Sequence, residues 1–134
     1  MAVEYIVRGA KMKCSCGSNT RKINLPISHG SYVKYEECGT EKPILNADDK
    51  TKENISYFGV CPLHGKEDEK IDVIADNGKL IENGKKCKLE IDNCEWLITK
   101  DDYLVDGKPA LTTESIMFTN CGGIITFITS GQND

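Results

Sequence analysis

The stretch Lys108 to Gln132, KPALTTESIMFTNCGGIITFITSGQ, constrains the fold more than any other part of this chain. It holds two apolar runs, Ser115–Cys121 and Ile124–Thr129, divided by Gly122-Gly123. Both runs are rich in β-branched and aromatic residues, which suit a pleated surface, and a glycine pair punctuates strands. In the second run, period-two alternation puts Ile125, Phe127 and Thr129 on one face and Ile124, Thr126 and Ile128 on the other. Apolar groups fall on both sides, so this strand is expected to be covered on both faces. A hairpin here closes a core, and the stretch reads as the base of an all-β fold.

The rest of the chain supports that class. Val3–Val7, Lys11–Cys16, Lys22–Ile27 and Ser31–Tyr35 read as short strands, separated by turns at Gly17-Ser18-Asn19 and His29-Gly30. Pro26 places the third at an edge or strand end. From Glu36 to Asn54 the pattern becomes polar, as in a long surface connection. Ile55–Val60 restores an apolar run, Lys66–Lys70 is charged and solvated, and Ile71–Ile74 is a short strand or a turn of helix. Ala75 to Lys86 reads as loop, with turns at Asn77-Gly78 and Asn83-Gly84. Cys87–Ile91 alternates, Trp96–Thr99 and Tyr103–Val105 are strand candidates, and Asp106-Gly107 is a tight-turn signal. No amphipathic helix of three turns is visible, so under about a fifth of the chain is expected to be helical.

A chain of 134 residues fits a single domain with a modest core. Its 17 basic against 21 acidic residues, interspersed, leave a net charge of −4 and no footprint for nucleic acid. No apolar run approaches the ~18 residues of a membrane span. Glu4 and Arg8 interrupt the N-terminal segment, which therefore lacks the apolar core of a signal peptide. Cytoplasmic synthesis without classical export is the expectation.

Seven cysteines, an odd number, argue against a complete disulfide framework in such a chain. Metal ligation, partial disulfides and buried thiols all remain open. Cys61-Pro62-Leu63-His64 is the sharpest chemical feature: a thiol and an imidazole three apart, on a turn shaped by proline and Gly65, can face one ion. Zinc takes such ligands in a closed tetrahedral site. One pair supplies half of them, and Cys14 with Cys16, Cys87 and Cys121 are the further candidates. Ordinary packing explains the same cysteines as well. As a nucleophile, Cys61 with His64 as base would need an orienting carboxylate or amide and a pocket, and no enzyme is expected. The acidic pairs Glu36-Glu37, Asp48-Asp49 and Asp101-Asp102 read as solvated loops rather than a catalytic carboxylate pair, and Arg21-Lys22 and Lys85-Lys86 as surface charge.

Three separated motifs add a resemblance. They are Val7-Arg8-Gly9-Ala10-Lys11-Met12-Lys13-Cys14-Ser15-Cys16-Gly17, Asn54-Ile55-Ser56-Tyr57-Phe58-Gly59-Val60-Cys61, and Pro109-Ala110-Leu111 with Ser115 through Gln132. Together, and in this order over nearly the whole chain, they resemble the PAAR-like domains of the family called domain of unknown function DUF4280. The resemblance implies a small conical β-structure capping the trimeric spike of a contractile injection machine, either a type VI secretion system or a phage-tail-like particle. Such a tip pierces a target membrane and connects to a toxic effector. Since no effector extension is visible, any toxin is expected to be a separate protein.

Related PAAR tips hold zinc near the apex through His and Cys. The PAAR-like pattern has cysteines at the positions of Cys14, Cys61 and Cys87, and one before the final glycine pair. Here Thr119 stands at that last position, with Cys121 two residues on, and Cys16 stands where an aromatic residue is usual. The resemblance thus implies a site built on Cys61, with Cys14 and Cys87 as partners and His64, Cys16 or Cys121 competing for the remainder. The paired shift also allows Cys16 and Cys121 to contact each other. The alternative function is a zinc-binding β adaptor module for a secreted toxin.

Overall fold

Short alternating runs and frequent turns produce ten strands and no helix among the described residues. The computed structural model describes residues 3–35, 40–63, 65–120 and 122–132, with 34, 35, 40 and 41 described by backbone alone. In order, the strands are β1 (Lys11–Cys14), β2 (Arg21–Lys22), β3 (Tyr32–Tyr35), β4 (Thr40–Pro43), β5 (Lys66–Ile74), β6 (Leu80–Lys86), β7 (Lys100–Val105), β8 (Lys108–Ala110), β9 (Ile116–Phe118) and β10 (Ile124–Phe127). The fold is all-β, as expected from the sequence.

The central sheet has the order β2-β1-β10-β9, all antiparallel, so the beginning and end of the chain are zipped together. Met12 pairs with Phe127, and Ile125 pairs with both Cys14 and Met117. Along β1, Met12 and Cys14 point inward while Lys11 and Lys13 point to solvent, the alternation of a half-buried strand. Met12, Met117 and Ile125 are fully buried and join Phe58, Leu111, Ile55 and Trp96 in one core. Trp96 stacks on Phe127 at 5.1 Å, and its indole N–H donates to the Asp49 carbonyl.

The closing hairpin differs from expectation in one respect. Within β10 Ile125 alone is fully packed, whereas Ile124, Thr126 and Phe127 are half-buried, and Ile128 beyond it is 50% exposed. An antiparallel sheet needs only one face on the core. The first apolar run shrinks to β9 for a related reason: at Thr119 the backbone turns to meet Gly123.

Several predicted strands are instead irregular segments held by single bridges. Val3–Val7 forms isolated β-bridges at Tyr5–Thr112 and Val7–Ile44, and Trp96–Thr99 one at Leu97–Ile116. Ile55, Phe58 and Val60 are buried, but their segment joins the ladder only at Val60–Lys86. Cys87–Ile91 contains no strand, and the Lys22–Ile27 candidate is reduced to β2. Lys11–Cys16 stops at Cys14, where a turn begins. The polar connection after Glu36 holds β4 and the buried Ile44-Leu45-Asn46, so part of it belongs to the core.

The largest departure is the β5–β6 ribbon: Ile71–Ile74 is a strand, one of its two expected forms, but it extends back through Lys66–Lys70 and pairs with a segment expected to be loop. Its side chains are mostly exposed, and only Ile71-Asp72-Val73 alternates in a way that betrays it. Asn77-Gly78 is its turn, closed by Ala75 N–H to the Lys79 carbonyl. Asn83-Gly84 is not a turn but a bulge: Ile71 pairs with Gly84 and Val73 with Ile81, leaving one extra residue on β6. Asn83 takes a positive φ of 52° there, and its N–H donates to Asp72 Oδ1.

Ion pairs knit this ribbon, two of them across the strands and one along β5. Lys85 meets Glu67 at 2.8 Å, and Glu69 lies between Lys66 at 3.3 Å and Lys86 at 3.4 Å. These lysines hold both carboxyls below their ordinary value of 4.5. A depressed folded-state pKa contributes stability above the unfolded value and loses it as pH falls through the folded one. Amide exchange in β5 and β6 should therefore accelerate as pH drops below 4.5, relative to intrinsic rates, and also in high salt. Unchanged protection would show that the pairs do not hold the ribbon.

Gly59 fixes the crossing beneath it. At φ +71° its missing Cβ would run into Asn19 Oδ1 and Ser18 Oγ, and Ser18 Oγ accepts the Val60 N–H at 2.9 Å. Gly59→Ala should cost about 1–3 kcal/mol in a denaturant titration. A neutral result would mean that this crossing is free to shift.

Candidate functional site

β1 delivers Cys14 to one end of the central sheet. A turn closed by Gly17 N–H to the Cys14 carbonyl at 3.1 Å then folds Cys16 back, leaving the two sulfurs 3.9 Å apart. The two thiols therefore meet through a turn, not along a continuing strand. The middle of the chain enters beside them. Ser18 N–H donates to the Val60 carbonyl, Cys61 N–H to Lys85 and Cys87 N–H to Gly59. The 59–61 segment is thus clamped between the first turn and the end of β6. Cys16 lies within hydrogen-bonding reach of Cys61 as well as of Cys14.

The last hairpin supplies the opposite wall. A Cβ on Gly123 would sit 2.7 Å from Cys14 Sγ and 3.1 Å from Thr119 Oγ1, so the backbone there lies directly against the thiols. Thr119 Oγ1 accepts the Gly123 N–H at 2.9 Å. Thr119, which stands where the resemblance calls for cysteine, consequently adjoins Cys14.

Burial pushes the Cys16 thiol well up, helped by the Cys61 hydrogen bond and the nearby Cys14. A neutral Cys16 thiol is the physical consequence of crowding sulfur in a partly dry place. Two sulfurs each 2.3 Å from one tetrahedral zinc would be about 3.8 Å apart, and the Cys14–Cys16 separation of 3.9 Å matches that edge. As the side chains stand, however, no group of three or more His, Cys, Asp or Glu among the described residues could hold a metal ion. The donor chemistry fits zinc, and the geometry requires the sulfurs to move or a further donor to join them.

Cys14, Cys16 and Cys61 are brought together, and Cys87 is buried in the same core, all outside disulfides. His64 and Cys121 lie outside the described residues. Cys94, which no motif singled out, is buried with its thiol 3.5 Å from Asn120 Oδ1. Asp101 and Asp102 are exposed as expected, but Asp49 is buried. It accepts the Asn46 N–H and meets His29 Nε2 at 2.8 Å, while His29 Nδ1 lies 3.5 Å from Asp106. This histidine ties three loops together.

A chain whose first and last strands pair, and whose thiols gather from its beginning and middle against its closing hairpin, is a small β-domain organised about a cysteine cluster. It belongs to the family Domain of unknown function (DUF4280), which matches residues 6–132. No curated protein and no solved structure matches it.

Proposed function

We propose that this protein is the tip of a contractile injection machine's spike, one copy capping a trimeric spike protein. The ordered motifs that resemble PAAR-like domains carry the reading. What supports it is the polarity of the central sheet. One end gathers Cys14, Cys16 and Cys61 against Gly123. The other ends at Lys11 and Ile128, where Val3 lines two adjoining hollows with Ile98 and with Ile128. These three apolar side chains are at least half exposed. The thiol end is the natural apex of a cone, and the apolar end is the surface to seat on a partner.

The three two-stranded ribbons found among the described residues, β3–β4, β5–β6 and β7–β8, give one chain three like elements to set against a threefold partner. Zinc held by Cys14, Cys16 and Cys61, with Cys87, His64 or Cys121, would stiffen the apex by joining distant segments. The protein's role is then mechanical, not enzymatic: made in the cytoplasm, carried out on the particle, touching the target membrane briefly and linking a separate toxin.

Particle reconstruction tests this reading. A single copy on the spike axis is the expected result. An intact particle lacking the domain on that axis, with the protein instead bound to a toxin, would replace the tip by an adaptor.

A further inference from the structure

Charge in this protein is distributed unevenly in a way the tip reading does not use. The chain carries a net charge of −4, yet a surface cavity of about 490 Å³ is ringed by Lys52, Lys66, Lys86 and Lys88, with Glu90 as its one acidic lining residue. Leu89, backed by the buried Ile55, provides apolar wall, and Tyr57 provides a half-buried ring. Two cations converge on that ring: Lys86 Nζ at 4.7 Å from its centroid and the Arg21 guanidinium at 5.5 Å. Arg21 is fixed by donating from Nε to the Tyr57 carbonyl.

The geometry points to an anion site in this cavity, for a phosphate-bearing molecule with an apolar body. Like charges gathered in a concave, partly apolar hollow focus a positive potential that attracts anions. The existing counter-charges are weak competitors. Glu69 is shared between Lys66 and Lys86 from outside the cavity lining, and Glu90 stands 4.0 Å from Lys88. Half-exposed pairs of this kind are worth little, so a multiply charged phosphate can recruit the same ammonium groups. The Tyr57 ring with Leu89 would take the apolar portion, as aromatic and aliphatic walls do in small-molecule sites.

Calorimetry with pyrophosphate and co-sedimentation with phosphatidylglycerol vesicles, both in low salt, form the test. Saturable pyrophosphate binding without vesicle binding assigns a soluble phosphate ligand. Vesicle binding that pyrophosphate displaces assigns a lipid headgroup. In either case Lys52→Glu with Lys88→Glu should weaken binding at least about tenfold, Glu90→Gln should tighten it, and added salt should weaken it. Circular dichroism confirms that each variant keeps its strand spectrum. Glu90→Gln, a milder change, decides the matter should the lysine variants fail to fold. No saturable binding of either probe, or binding indifferent to these substitutions, overturns the site.

Discussion

Phe58→Ala should lower the unfolding free energy by about 3–5 kcal/mol, enough to leave a domain of this size marginal. Phe58 heads the fully buried side chains by volume and packs in the core that also holds Met12, Ile125 and Trp96. Its backbone carbonyl accepts Asn19 N–H, and its Cβ lies so close to Gly17 that a side chain there would collide. Hydrogen bonds from Ser18, Asn19 and Cys87 to Val60, Phe58 and Gly59 hold its segment, and how far that segment can relax into a cavity sets the size of the loss. Chemical denaturation decides the outcome. A loss near 3 kcal/mol would mean that the 54–61 segment collapses inward, whereas one near 5 would mean that the cavity persists. A loss below about 1 kcal/mol would show that Phe58 is not the centre of the core.

What the sequence revealed and what it concealed follow from one physical fact: patterns report burial, not hydrogen bonding. β1 and β10 were legible because Met12, Cys14 and Ile125 must face the core while Lys11 and Lys13 face water. The Asp106-Gly107 turn was legible because positive φ at both positions favours those residues. The β5–β6 ribbon was not, since Glu67, Asp68 and Glu69 bulge out between the Lys66–Lys86 and Lys70–Lys85 pairs with their side chains in solvent. Conversely, Ile55–Val60 looked like a strand because it is buried, though it is anchored chiefly by turns and crossings. At the candidate site, Cys14 and Cys61 were visible as motifs, but their meeting depends on a tertiary crossing that no spacing encodes. The lysine-ringed cavity was invisible for the same reason: Arg21 and Lys86 are 65 positions apart and share one ring.

Protein purified under reducing conditions with zinc should carry close to one metal per chain, and Cys61→Ser should remove it. Losing a thiol alone has a bounded cost, because a hydroxyl left without its partners in a buried position costs about 1–3 kcal/mol. Zinc held by thiolates from separate segments contributes to folding directly, up to about 10–16 kcal/mol in small zinc-dependent domains. The destabilisation by Cys61→Ser should thus exceed that bound with zinc present and fall within it once a chelator is added. Cys94→Ser is the control: Cys94 is buried beside Asn120 and belongs to no part of the cluster proposed to bind metal, so it should keep the zinc. Disulfides are the competing fate of these thiols, and oxidation would convert them to a cross-link that no chelator releases. Thr119→Cys separates the two further. Its side chain would enter beside Cys14, against Gly123, where Thr119 Oγ1 now sits. As a new ligand it should tighten zinc binding and raise the melting temperature only when metal is present. Metal-free protein that is equally stable, with Thr119→Cys indifferent to zinc, would return Cys14, Cys16 and Cys61 to simple packing.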